Sequence, residues 1–388
     1  MTAPTDPTLE HTSAPGEPGG PEEPATRHTW SAWTTWAPLL ALLGLALAWG
    51  RTLPAAGVVV VALLLVGAVL AAVHHAEVVA HRVGEPFGSI VLALAVTVIE
   101  VALIITLMLS GGDKVTTLAR DTVFAAVMIT CNGIVGLALL VGSLKHGFSR
   151  FNAEGTGGAL STVVILAGTC LVLPTFTLGE PGPRFTGPQL VFAAVCSLML
   201  WGLFIVTQTV RHRDFFLPVT TSGRVIESED GHADPPSART ALVSLGLLVG
   251  SLVAVVGLAK VESPALEAGV RAFGLPQSFV GVVIALVVLG PETLAAVRAA
   301  RRDRVQTSLN LAYGSAMASI GLTIPALALS TLWIDVPLSL GLGATELVLL
   351  AMTVVVGVLT IVPGRATRLQ GGLHLALLAA YVFLAANP

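Results

Sequence analysis

Two glutamates stand where an apolar sequence tolerates a charge least. Glu100 closes the run GSIVLALAVTVIE (88–100) and is followed by more apolar residues, while Glu292 comes directly after Gly290-Pro291 in GVVIALVVLGPETLAAV (281–297). A carboxylate near the centre of a bilayer costs on the order of 3 kcal/mol or more and marks an ion or proton pathway. Two facing carboxylates can bind a divalent cation when ionised and carry protons when neutral, so the pair suits an exchange of one for the other. Pro291 removes a backbone donor inside its run, which predicts a broken helix with carbonyls freed between Val287 and Gly290. Such carbonyls suit a hard cation, since calcium takes about six to eight oxygens. Thr97, one turn before Glu100, can add a hydroxyl or a carbonyl. Thr97, Gly290 and the two glutamates form the primary candidate set.

The elements that must position these residues are membrane helices. Of 388 residues 54% are hydrophobic and 11% charged, with mean hydropathy +0.85, too little polar surface to clothe a water-soluble globule. A net charge of −3 offers no basic face for nucleic acid. Cys131, Cys170 and Cys196 each lie in an apolar run, where packing is expected rather than a disulfide framework. At about 20 apolar residues per span, eleven helices are expected at 33–50, 54–80, 87–110, 121–144, 158–179, 187–210, 240–259, 276–298, 307–333, 339–362 and 370–387. Residues 1–28, rich in Pro, Gly and Glu, read as a disordered tail, and Trp30, Trp33 and Trp36 as interfacial aromatics of an extra first helix within 29–53.

Glu100 falls on the third helix and Glu292 on the eighth, five helices apart. The fold class expected is therefore all-α and polytopic, with two inverted five-helix repeats, 54–210 and 240–388, joined by a polar cytoplasmic linker at 211–239. Fourteen of the 20 Lys and Arg residues fall on one side if the N-terminus is cytoplasmic. That places the C-terminus outside an N-in chain in the plasma membrane. Each glutamate helix is followed by one expected to open on a polar residue, Asp121 and Asn310. Asn132, Ser315 and Ser319 lie deeper, as interhelical hydrogen bonds or pathway groups. His74, His75 and His81 cluster with Glu77, which raises a metal or pH-sensing reading.

HHAEVVAHRVGEPFGSIVLALAVTVIE (74–100), LPQSFVGVVIALVVLGPETLAAV (275–297) and LNLAYGSAMASIGLTIPAL (309–327) together resemble the repeat regions of ChaA-type calcium/proton antiporters in the cation/calcium exchanger superfamily. The resemblance covers about residues 40 to 388. It implies calcium export against protons by alternating access, without cofactor or enzymatic activity, and a homo-oligomer is compatible with it. It also implies pathway-mouth roles for Glu77 and Glu262 and a family glutamate at Glu346. The sequence departs from the superfamily where Gly-Asn usually precedes each glutamate and where a glutamine usually stands on the second partner helix; Ser315 and Ser319 occupy that helix here. Sodium-coupled calcium exchange and monovalent cation/proton antiport are the alternatives. A channel fits less well because both carboxylates come from one chain, and HHAEVVAH lacks the spacing of a metalloprotease HExxH.

Overall fold

The structure, a computed structural model, describes residues 33–84, 87–110, 116–219, 236–334 and 338–388. The tail at 1–28, Trp30 and the linker between 220 and 235 lie outside the described residues. Eleven helices follow in order: α1 Trp33–Ala48, α2 Ala55–Val83, α3 Phe87–Ser110, α4 Leu118–His146, α5 Ala153–Phe176, α6 Gly187–Arg211, α7 Ala238–Ala272, α8 Phe279–Arg301, α9 Val305–Ser330, α10 Ala344–Ile361 and α11 Arg368–Ala386. Ten of them are long and apolar enough to span a bilayer, and α1 is shorter at 16 residues. Helices satisfy their own backbone hydrogen bonds, which is why they can cross hydrocarbon.

Two groupings organise the bundle. Helices α2 and α7 lie along one another, α1 packs on both, and α3 joins their flank. The clasp of α1 has a simple cause. Pro38 has no N–H to give the Thr34 carbonyl, and the His75 ring of α2 donates to that carbonyl through Nε2 at 3.0 Å. At the far end Lys260 of α7 lies 5.3 Å above the Trp49 ring. In the second grouping α4 is the most buried span, packed against α8, α9 and α11, while α9 touches α3, α5, α6 and α8. Small residues allow this: a Cβ on Gly371 of α11 would come within 2.7 Å of the Leu140 nitrogen of α4, so the two backbones nearly touch.

Beyond the helices, Ser149–Arg150 (β1) and Arg365–Ala366 (β2) form a short antiparallel ribbon between the α4–α5 and α10–α11 connections.

Several expectations are corrected. Helices α4 and α9 begin before Asp121 and Asn310, which sit inside them and cap neither. α7 continues well past residue 259 to Ala272, across Pro264, with Glu267 and Arg271 one turn apart near its end. The break expected at Pro291 is absent, and α8 runs unbroken through it. The break falls in α9 at Leu322, between Val305–Gly321 and Thr323–Ser330, because Pro325 cannot donate to the Gly321 carbonyl. The α4 and α5 spans carry π-helical turns at Ile129–Ile134 and Gly168–Val172. Cys131 and Cys170 are buried free thiols and Cys196 is a half-buried one.

Candidate functional site

Glu100 is buried at 3% exposure in the middle of α3. Two hydroxyls of α9 reach it: Ser319 Oγ donates to Glu100 Oε2 at 3.0 Å and Thr323 Oγ1 to the same oxygen at 3.2 Å. Ser319 lies near the end of the first α9 segment and Thr323 opens the second; four residues apart, they share a face and converge on one carboxylate oxygen. The other oxygen, Oε1, is buried without a hydrogen-bond partner, and so is Thr97 Oγ1 one turn earlier. Thr97 is unusual in this, since Thr122, Thr130 and Ser251 each bond back to a carbonyl of their own helix. Two oxygens at i and i+3 on one helix share a face. An orphaned pair of this kind is costly in a protein interior unless a further group supplies what they lack.

Glu292 on α8 likewise has Oε2 buried without a partner. Its helix α8 packs against α3, which carries Glu100, and against α2, which carries Glu77. Arg298, in the last turns of α8, acts on Glu77, which is exposed. The three glutamates therefore sit on mutually packed helices, Glu77 exposed and Glu100 enclosed. Gly290, two residues before Glu292, borders open space: a Cβ there meets no atom within 4 Å.

The other candidates fall elsewhere. Asp121 is held by Arg120 at 2.7 Å and accepts from Thr117 at 2.9 Å, and with Glu346 it borders a cavity of about 130 Å³ between α4, α8, α10 and α11. No α3 residue lines that cavity, so it is distinct from the surroundings of Glu100. Glu262 Oε2 and the neighbouring Ser263 Oγ are buried without partners on α7. Asn310 donates to the Phe216 carbonyl at 2.7 Å and accepts from Gln306, tying the start of α9 to the segment after α6. Ser315 is half-buried one turn before Ser319. Asn132 donates to Thr353 at 2.9 Å and meets the buried His374 ring at 3.2 Å, which bolts the π turn of α4 to α10 and α11. Among the described residues no three His, Cys, Asp or Glu side chains converge as a metal cluster, and the His74, His75, His81 and Glu77 group is no exception.

Sequence reasoning missed Thr323, His374 and Thr353. Only Thr323 had a local signal, a threonine two residues before a proline in an apolar run.

A helical membrane bundle enclosing a hydroxyl-held carboxylate, with a second carboxylate on a helix packed against it, has the make-up of a cation-exchanging transporter. The family described as "Sodium/calcium exchanger protein" matches residues 53–210 and 243–387, and the chain belongs to it. It is 45% identical over 359 residues to the putative ionic transporter y4hA of Sinorhizobium fredii, covering 90% of this chain and 95% of that one. It is 36% identical over 350 residues to the sodium-potassium/proton antiporter ChaA of Escherichia coli, covering 89% and 93%. Among solved structures the fold is similar to native YfkE, with a TM-score of 0.66 at 16% identity over 92% of this chain and 99% of that one. The H+/Ca2+ exchanger CAX gives 0.65 at 15% identity, covering 91% of each chain. The relatives are transporters and antiporters.

Proposed function

We propose that this protein exports calcium in exchange for protons, by alternating access at a site formed by Glu100 and Glu292. The observation that carries the reading is Glu100 itself, a membrane-buried carboxylate with one oxygen fixed by Ser319 and Thr323 and the other left without a partner beside the Thr97 hydroxyl. Two carboxylates offset one doubly charged ion or hold two protons. Either loaded state is nearly neutral, whereas the empty ionised state is costly in the membrane, and this penalty couples the two fluxes. The Glu292–Glu77 succession offers a route to the surface. Two separate matches to one family description support reading 54–210 and 240–388 as repeats of one unit.

A second reading, exchange of sodium or potassium for protons, is favoured by the 36% identical relative and its name. Everted vesicles with an acidic lumen separate the two. Calcium is expected to accumulate in the lumen without sodium, and nigericin with potassium to abolish the accumulation. Calcium movement that requires a sodium gradient at equal pH would overturn the proton assignment, and proton release by sodium or potassium alone would select the second reading.

From the distribution of Arg and Lys we infer an N-terminus and a 211–239 linker inside, and a C-terminus outside, the plasma membrane. Reporter fusions are expected to read cytoplasmic at residue 230 and external at residue 388. A cytoplasmic reading at 388 would remove the opposed orientation of the two halves.

A further inference from the structure

We propose that the β1–β2 ribbon and the helix ends around it form a binding site for the phosphate of an anionic phospholipid in the leaflet this face adjoins. In the ribbon Ser149 pairs with Ala366 and Arg150 with Arg365. Residues directly opposite one another leave a ladder on the same side. Ser149 and Ala366 are fully buried, so the two arginines share the outward face. Like charges placed opposite one another are unfavourable there. Arg150 stacks over Phe148 at 5.4 Å, its Nε is buried without an acceptor, and neither arginine forms an ion pair among the described residues.

The platform is rigid and its charge is reinforced. The Phe151 N–H donates to the Gly364 carbonyl at 3.1 Å, the Asn152 N–H to Gln306 Oε1 at 2.7 Å and Lys145 Nζ to the Arg301 carbonyl at 2.8 Å. These bonds lock the α4–α5, α8–α9 and α10–α11 connections together. They gather Lys145, Arg150, Arg301, Arg302, Arg365 and Arg368 with only Glu154 and Asp303 as nearby acids in the same connections. Paired guanidiniums suit a phosphate, whose oxygens accept two parallel N–H donors.

Position selects a lipid over a soluble anion. β1 begins three residues after α4 ends, and β2 lies between the end of α10 and the start of α11, so the ribbon sits at headgroup depth. Leu144, Val362 and Leu369, next to these basic residues in sequence, are exposed at 55%, 72% and 67%. Apolar side chains beside cationic ones match a ligand with a charged head and an acyl chain. The site is independent of the ion-exchange reading, and its occupant would brace the turn that follows the Glu292 helix.

The test uses the purified full-length protein in nanodiscs of phosphatidylcholine with phosphatidylglycerol, followed by native mass spectrometry of retained lipid. Wild type is expected to retain phosphatidylglycerol selectively. Arg150→Gln/Arg365→Gln is expected to lose roughly 30-fold in that selectivity, from the contribution of two basic residues near a membrane surface. The Arg150→Lys/Arg365→Lys variant should recover part of it, and Arg365→Gln alone, at an exposed position, guards against misfolding of the double variant. Equal retention by wild type and the glutamine variants overturns the proposal. So does thermal stabilisation of the lipid-free protein in detergent by millimolar inorganic phosphate, if it equals that given by phosphatidylglycerol, since the site then takes a soluble anion.

Discussion

Glu100→Gln and Glu292→Gln are each expected to remove nearly all calcium-driven proton flux in everted vesicles while leaving the amount of membrane-inserted protein unchanged. Glutamine keeps the shape of the side chain and, at position 100, an oxygen able to accept from Ser319 and Thr323. It also lowers the cost of burial, since a neutral amide replaces an ionisable group in the membrane. What it removes is charge. Changing a group that merely orients a metal ligand costs about 10- to 100-fold in affinity, so losing the ligand's charge costs at least that much. Ser319→Ala provides the graded contrast. It leaves both carboxylates in place and frees one oxygen of Glu100 from one of its two donors, so it should weaken apparent calcium affinity by about tenfold and keep most of the maximal rate. Wild-type flux in either glutamine variant at matched abundance would make that carboxylate structural. An unchanged calcium affinity in Ser319→Ala would mean that Thr323 alone holds Glu100.

Much of the bundle is legible because the bilayer imposes one dominant rule, a long apolar run for each crossing. The third span, expected at 87–110, is observed as Phe87–Ser110. Glu100 and Glu292 stand out for the same reason, as charges against an apolar background. The rule fails where helix geometry is decided by something other than hydropathy. Pro291 and Pro325 both sit in apolar runs, and each deletes one backbone bond. Yet α8 continues through the first, while α9 breaks just before the second, where the Thr323 hydroxyl has Glu100 to bond. Hydropathy does not say which proline will break its helix. α7 outlasts its apolar stretch for a comparable reason, since hydropathy says where a membrane ends and not where a helix does. The Asn132–His374 bond joins residues far apart in sequence, and neither carries a local signal of the other.

Lowering pH is expected to weaken calcium affinity, with a slope that reports how many protons the ion displaces. The metal binds ionised carboxylates, so each proton held by Glu100 or Glu292 must leave before the ion is bound. In the range where both carboxylates are protonated in the absence of metal, apparent affinity falls roughly tenfold per pH unit for each displaced proton. A doubly charged ion that discharges both groups approaches a slope of two; a monovalent ion that displaces one proton approaches one. The sign follows from the proposed competition: if protons and cation share the same oxygens, acid opposes the metal. Glu292→Gln takes one titrating group away, and whatever binding survives in it should lose one unit of slope, because only Glu100 remains to exchange. Equilibrium binding to the purified protein, measured at a series of pH values with calcium and then with sodium, reads both slopes without a need for transport. An affinity that stays flat over that range would separate the proton site from the metal site. The exchange would then have to run through other carboxylates, and Asp121 and Glu346 beside their own cavity are one such pair.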